Sequence, residues 1–186
     1  MQDIQRRSFL SALSAVLSAL ALPERLRASP QTAGIKVTAG QDRFGRARQI
    51  GVSSTTFKVA GADTAGGLFV IEQANSVKGG PPRHLHHEQD EFWYVLEGDY
   101  IVEIGSERHL LKPGDCILGP RRIPHAWAFV GDSPGRLLIA FTPAGKMQKN
   151  FERDRREGEY RNDAEVFRAY GMELVGPPLS TAEIEK

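Results

Sequence analysis

The sequence from Pro81 to Gly98, PPRHLHHEQDEFWYVLEG, decides between a charged surface loop and a pair of strands that carry a functional site. Successive side chains of a β-strand point to opposite faces, so His84 and His86 share one face while Leu85 lies on the other. The second half is rich in aromatic and β-branched residues and ends on glycine, as a strand before a turn does. The stretch therefore predicts two strands joined by a charged turn.

Short apolar runs separated by glycine and proline continue on both sides of this stretch, from Ile35 to Thr142. Runs such as LFVIEQAN, YIVEIG and RLLIAFT are rich in the residues that strands favour, and glycine- and proline-containing turns separate them. No long segment with a helical period of 3.6 residues interrupts the series. The sequence therefore predicts an all-β fold, a sandwich or a small barrel of short antiparallel strands.

Charged and helix-forming residues dominate the segment 144–186, after the last of these runs. Asn162 or Asp163 can cap a short helix that ends at Gly171. The sequence STAE at Ser180–Glu183 has the spacing of a capping box for one more short helix. We therefore expect a helical C-terminal annex on the β domain.

The first 28 residues have the layout of a signal peptide, a short basic region followed by a small apolar one. The apolar part, Ser11–Leu22, is shorter than the roughly 20 residues that a membrane-spanning helix needs. The leader resembles a twin-arginine export signal, with an ordinary secretory signal or a basic helical arm as the alternatives. Cleavage is expected after Ala28, which predicts a periplasmic or secreted protein. The residues that match the export motif are Arg6, Arg7, Phe9 and Leu10.

Composition favours one domain that binds a small molecule. The chain has 186 residues, 40% of them hydrophobic, with 24 Lys and Arg against 23 Asp and Glu. This length suits one domain, and the charge balance predicts no basic surface for nucleic acid. Cys116 is the only cysteine, so the chain cannot form an internal disulfide. Its isoleucine and leucine neighbours predict a buried thiol.

Two further residues of metal-binding type accompany the paired histidines. Glu91 follows them across the charged turn, and His125 begins another predicted strand directly after Pro124. Imidazole and carboxylate donors together suit a divalent transition metal, without selecting between Fe, Mn, Ni, Co, Cu and Zn. Taken singly, each histidine would more often be an ordinary hydrogen-bonded residue. The turn residues expected to be exposed are His87, Glu88, Gln89 and Asp90.

Together these positions resemble the two sequence motifs of the cupin superfamily. The residues that match the first motif are His84, His86, Glu91 and Gly98, and those that match the second are Gly114, Pro120 and His125. The departures are Arg122 in place of a second glycine, Phe129 in place of asparagine, and Gly80 closer to the histidines than usual. The resemblance runs from about Phe57 to Pro143, and the tail RAYGMELVGPPL looks like that of small single cupins similar to quercetin dioxygenases.

This resemblance implies a single jelly-roll barrel with one divalent metal ion inside one mouth. It implies N-terminal barrel strands over 29–56, a cupin core over 57–143 and the helical segment over 144–186. The metal ligands that it implies are His84, His86, Glu91 and His125.

Strand alternation also suggests which residues would surround a bound substrate. Trp93 and Val95 share the face of Glu91, and Trp127 and Phe129 share the face of His125. Such a wall would favour an aromatic or hydrophobic ligand with a few oxygens that reach the metal. Core packing is the alternative, because small barrels fill their interiors with side chains.

The leading hypothesis for function is a metal-dependent oxidoreductase of the dioxygenase type. By resemblance to quercetin dioxygenases, Glu91 would both bind the metal and accept a proton from the substrate. The alternatives are a cupin that binds a small molecule without turnover, and an isomerase, lyase or hydrolase that uses the ion as a Lewis acid. A homodimer is the expected assembly, because closed symmetric dimers are the commonest oligomers.

Overall fold

The computed structural model of the protein describes residues 33–153 and 163–181. The expected signal peptide, its arginine motif and its cleavage point lie outside these residues, as does the second half of Ser180–Glu183, where a last short helix is expected. Among the described residues, no helix is long and apolar enough to cross a membrane.

The described residues form eleven strands, two short α-helices and one 3-10 turn at Gly61–Thr64. The strands in chain order are β1 Arg48–Ile50, β2 Ser53–Val59, β3 Phe69–Asn75, β4 Pro82–His86, β5 Asp90–Glu97, β6 Tyr100–Ile104, β7 Glu107–Leu111, β8 Cys116–Gly119, β9 His125–Phe129, β10 Gly135–Thr142 and β11 Met172–Pro178. The helices are α1 Met147–Glu152 and α2 Ala164–Ala169.

The strands form two antiparallel sheets whose inner faces share one core. The first sheet has the order β1-β2-β3-β10-β5-β8, and the second has the order β11-β4-β9-β6-β7. Chain neighbours β4 and β5 lie in different sheets, so the charged turn between them crosses from one sheet to the other. The predicted all-β jelly-roll architecture with a short helical C-terminal annex is confirmed.

Alternation along β10 shows how the sequence produces this core. Leu137, Ile139 and Phe141 are buried, and the residues between them are half-buried on the outer face. Because β10 pairs with β3 on one side and with β5 on the other, its inner residues lie at the centre of the first sheet. Burying an apolar side chain of this size contributes about 1.5–3 kcal/mol to stability.

The C-terminal segment differs in part from the helical annex that the sequence predicts. The expected cap at Asp163 is present, since its side chain accepts hydrogen bonds from the backbone N–H groups of Glu165 and Val166. Beyond Gly171, however, the chain forms strand β11, which pairs with β4 at the edge of the second sheet. A glycine and two prolines near the end of β11 lower its apparent strand propensity, yet an edge strand tolerates proline.

Cys116 is exposed, which corrects the expectation of a buried thiol. It begins β8, an edge strand, and lies opposite Tyr94 on the outer face of β5. The same alternation turns its neighbour Ile117 towards the core. The apolar neighbours of a cysteine therefore do not indicate which face of the strand the thiol occupies.

Candidate metal centre

Four side chains with metal-binding atoms meet inside the barrel. They offer one ligand atom each, and these four atoms all lie within 4.8 Å of one another. Every one of the four side chains is buried, with exposed fractions between 0% and 6%. The residues are His84, His86, Glu91 and His125.

Strand pairing explains why residues far apart in sequence converge here. His84 and His86 lie two positions apart on β4 and so share its inner face, and His84 is directly opposite His125 of β9. Glu91 approaches from the other sheet, near the start of β5. The cluster therefore joins the two sheets, and the turn between β4 and β5 sets the position of the carboxylate.

Backbone carbonyl groups orient two of the imidazole rings. Nδ1 of His84 is 2.8 Å from the carbonyl oxygen of Pro82, and Nδ1 of His125 is 3.0 Å from that of Ile123. A carbonyl oxygen can only accept, so each Nδ1 carries the proton and donates it. In the neutral form of each ring, the lone pair is then on Nε2, and such a backbone contact is the usual support of a metal-binding histidine.

Glu91 lies between the other two imidazoles. Its Oε2 is 2.9 Å from Nε2 of His86 and 3.2 Å from Nε2 of His125. Although the second distance is short, its geometry is not that of a hydrogen bond, and Nε2 of His125 is left without a partner among the described residues. Nδ1 of His86 is also buried without a partner there. Leaving a buried polar group unsatisfied costs about 1–3 kcal/mol.

Burial and neighbouring charges favour the protonation states that a metal ion requires. Burial, together with the nearby imidazoles of His125 and His86, lowers the pKa of His84 to about 3. Burial alone would raise the pKa of Glu91, but contacts with His125 and His86 outweigh it and hold that pKa below its usual value. At neutral pH, His84 is neutral and Glu91 is charged. Metal binding needs a deprotonated imidazole and an ionised carboxylate.

The geometry and chemistry of these donors fit a divalent transition metal. Bonds of about 2.0–2.2 Å to nitrogen and oxygen allow two ligands of one ion to lie up to about 4.4 Å apart. The observed limit of 4.8 Å therefore requires movements of only a few tenths of an ångström. An ion at this point would also contact the unpartnered Nε2 of His125. Three imidazoles and one carboxylate do not select between the divalent metals.

A cavity opens beside this centre, and its walls are mostly apolar. His84 and Glu91 form part of its lining. Ile139 and Phe141 contribute from β10, and Trp127 contributes from β9. The helical annex closes another side, and the residues that it supplies are Met147, Asn150, Phe151, Arg153, Val166 and Phe167.

Four residues were expected to line the substrate pocket. Of these, only Trp127 is among the described residues that line this cavity. Trp93 and Val95 are fully buried in the core, where the ring of Trp93 packs against His125 at a centroid distance of 5.3 Å. Phe129 packs against Tyr100 with a centroid distance of 5.4 Å. Alternation correctly turns these residues inward, but it does not distinguish the filled part of a barrel from its open part.

The lining from the two helices is what the sequence analysis missed. Phe167 lies 5.5 Å from the ring of His84, centroid to centroid, and Phe151 lies 5.9 Å from that of Phe141. The apolar residues on one face of each short helix were the available signal, because such a face packs against a core. They show that the annex contributes a wall of the cavity.

One residue of the charged turn is buried, although all four turn residues were expected to be exposed. His87 and Glu88 are exposed and Asp90 is half-buried, whereas Gln89 is only 3% exposed. The side chain of Gln89 packs against Gly145, and it occupies the space that a side chain at that glycine would need. Alternation could not predict this contact, because it depends on the path of the chain after β10.

Comparisons with known proteins show which region of the chain matches a protein family. The family model described as Cupin domain matches residues 76–141, which include all four candidate metal ligands. An uncharacterized protein of Methanocaldococcus jannaschii is 32% identical over 60 residues, which are 32% of this chain and 48% of that protein. The chain thus spans about half the length of this curated relative.

Solved structures agree at the level of the fold. An RmlC-like cupin from Shewanella frigidimarina superposes with a TM-score of 0.50 at 18% identity, covering 64% of this chain and 98% of that chain. Enzymes are also among the similar structures. The polyketide cyclase RemF from Streptomyces resistomycificus has a TM-score of 0.45 at 23% identity, covering 52% of this chain and 72% of that chain. At that TM-score, the likeness says nothing about the reaction of this chain.

Proposed function

We propose that this chain, whose residues 76–141 form a cupin domain, is a metal-dependent oxidoreductase of the dioxygenase type acting on a small aromatic or oxygen-rich substrate. The observation that supports the proposal is the buried cluster of three imidazoles and one carboxylate beside a mostly apolar cavity. When bound, a divalent ion supplies Lewis-acid chemistry that lowers the pKa of a coordinated hydroxyl group.

The protein's own residues would hold and orient the substrate. The apolar walls from β9, β10 and the helical annex favour an aromatic or hydrophobic body and exclude water from the centre. Glu91 lines the same cavity, so its carboxylate would be placed to accept a proton from a substrate hydroxyl that binds there. The imidazoles of His84 and His125 stay fixed by their carbonyl partners during this transfer.

Elemental analysis followed by oxygen uptake tests the proposal. The purified protein, supplied in turn with Fe, Mn, Ni, Co, Cu and Zn, is expected to retain about one ion per chain. Flavonols, catechols and diketones would then be screened with an oxygen electrode. Oxygen consumption with at least one compound supports the proposal. A chain that retains none of these metals contradicts the metal centre, and product formation without oxygen uptake contradicts the dioxygenase chemistry.

Replacing Glu91 with glutamine is expected to lower turnover of the substrate found in that screen by about 100-fold or more, because general acid–base catalysis contributes about 10²–10⁴-fold. The substitution keeps the size of the side chain but removes its charge. Oxygen uptake would be measured at a metal concentration that saturates the variant, so that weaker metal binding does not dominate the result. Glu88→Gln, in the exposed turn, is the matched control and should behave as the wild type. Full metal content and full turnover in Glu91→Gln would exclude the proton-accepting role.

We also propose that the protein is exported by the twin-arginine route and acts outside the cytoplasm. The support is the sequence RRSFL followed by a short apolar region. That route carries folded proteins, so the cytoplasm would determine which metal enters the barrel. Cell fractionation tests this proposal, and a full-length chain that stays in the cytoplasm contradicts it. The homodimer stays a prediction.

A further inference from the structure

A row of buried polar residues lines the inner faces of β2 and β3. Thr55 pairs with Gln73 across the two strands, and Ser53 pairs with Asn75. All four side chains are buried, with exposed fractions of 4% or less. Buried polar groups are usually hydrogen-bonded, so a buried polar atom in this row that has no partner needs a physical explanation.

Both polar side-chain atoms of Asn75 have a hydrogen-bond partner. Its Nδ2 donates to Oγ of Ser53 at 2.7 Å, and its Oδ1 accepts from the hydroxyl group of Tyr100 at 3.0 Å. Gln73 differs from Asn75 in this respect. Its Nε2 donates to Oγ1 of Thr55 at 3.3 Å, and its buried Oε1 accepts no hydrogen bond from any described residue.

Gln73 lies in the lining of the cavity that also contains His84 and Glu91. The register of β10 gives their separation, because Phe141 is opposite Glu91 and Leu137 is opposite Gln73. Four residues of strand correspond to about 13 Å along the barrel. The cavity therefore has the metal ligands at one end and the amide of Gln73 at the other, and the other polar side chains in its described lining are Ser53, Asn150 and Arg153.

The wall between these ends is apolar and includes Ile139, Phe141 and Trp127. The unpartnered glutamine oxygen costs about 1–3 kcal/mol, which a leucine or methionine would avoid at the expense of the single hydrogen bond to Thr55. A ligand that donates a hydrogen bond to this oxygen would remove that cost.

We infer that Gln73 is a specificity-determining residue, which accepts a hydrogen bond from a hydroxyl or amino group at the end of the substrate opposite the metal. The inference rests on the proposed function, since it assumes a substrate held at the metal by oxygen. It narrows the substrate class to a small molecule with metal-binding oxygens at one end, an apolar and preferably aromatic body, and a hydrogen-bond donor at the other end.

The test uses two catechols of nearly equal size, 4-(2-hydroxyethyl)catechol and 4-propylcatechol, which differ by a hydroxyl in place of a methyl group. Binding to the metal-loaded protein would be measured by calorimetry without oxygen, so that turnover does not interfere. We expect the wild type to bind the hydroxyl compound about tenfold more tightly, in proportion to one hydrogen bond to a buried acceptor. Gln73→Met should lose this preference and bind the two catechols about equally, while its metal content stays the same.

Gln49→Met, at an exposed glutamine of β1, is the matched control and should keep the wild-type preference. Equal affinities of the two catechols for the wild type would overturn the inference without using any variant, and would leave the proposed metal function intact. A preference that survives in Gln73→Met would also overturn it, because a group other than Gln73 would then accept the hydrogen bond from the hydroxyl compound. Failure of both catechols to bind the metal-loaded wild type would overturn the inferred substrate class, whereas the oxygen-uptake screen tests the proposed function separately.

Discussion

Replacing His86 with alanine is expected to remove stoichiometric metal binding, with an affinity at least about 100-fold below that of the wild type. Changing residues that merely support a metal ligand typically costs about 10–100-fold in affinity, and loss of a direct donor should cost more. His86 is fully buried, with its Nε2 2.9 Å from Oε2 of Glu91, so bulk solvent does not reach its position. Elemental analysis after dialysis, and titration against a competing chelator, measure the effect.

His87→Ala provides the matched control, because the next residue along the chain has its side chain on the exposed side of the turn. It should retain the metal content of the wild type. The ring of His86 also packs against Phe141, at a centroid distance of 5.6 Å. Thermal unfolding midpoints of both variants without metal would show how much stability is lost through this packing alone. Wild-type metal content in a folded His86→Ala protein would rule out this residue as a ligand.

Replacing Gly80 with alanine is expected to lower the free energy of unfolding by about 3 kcal/mol or more, the upper range for inserting atoms into a packed interior. An added Cβ would overlap the carbonyl oxygen of Trp127, and it would lie 2.8 Å from the carbonyl carbon of that residue and 3.1 Å from Cα of Ala128. These are backbone atoms of β9, so a side-chain rotation cannot relieve the overlap. The strand that carries His125 would have to move.

The adjacent residue makes such a movement costly. Gly79 exchanges two backbone hydrogen bonds with Phe129, of 3.0 and 2.9 Å, which hold the loop against β9. For a chain of this size, the expected loss corresponds to a fall of about 6 °C or more in the thermal midpoint. Gly34→Ala is the control, since a Cβ there meets no atom within 4 Å and the midpoint should not change. Equal midpoints for the two variants would contradict the argument.

The sequence was most informative where strand alternation and short-range spacing suffice. Two histidines two positions apart on a strand must share a face, and that face is the inner one because the apolar residues of neighbouring strands lie there. The convergence of His84, His86, Glu91 and His125 needed one further condition, the pairing of β4 with β9, which the resemblance to cupins supplied and the residues alone did not. The role of these side chains as metal ligands stays a prediction.

Long-range packing explains what could not be predicted. The burial of Gln89 depends on a loop more than 50 residues away, and the burial of Trp93 in the core instead of the cavity wall depends on how far the barrel interior is filled. Strand β11 has a weak local propensity and forms because β4 offers an unpaired edge. The sequence does not single out Gln73, because a glutamine in a strand has no special meaning until its hydrogen-bond partners are known.

The pairing of β11 with β4 would link the C-terminal part of the chain to metal binding at the candidate centre. Met172 is opposite His86 and Leu174 is opposite His84, so β11 supports the two residues that supply imidazole donors. Any influence that favours the paired state of β11 also favours the strand geometry that an ion requires, and by linkage an ion bound at the histidines strengthens the attachment of β11 by the same free energy. Metal occupancy of the cluster would therefore be coupled to the pairing of β11 with β4.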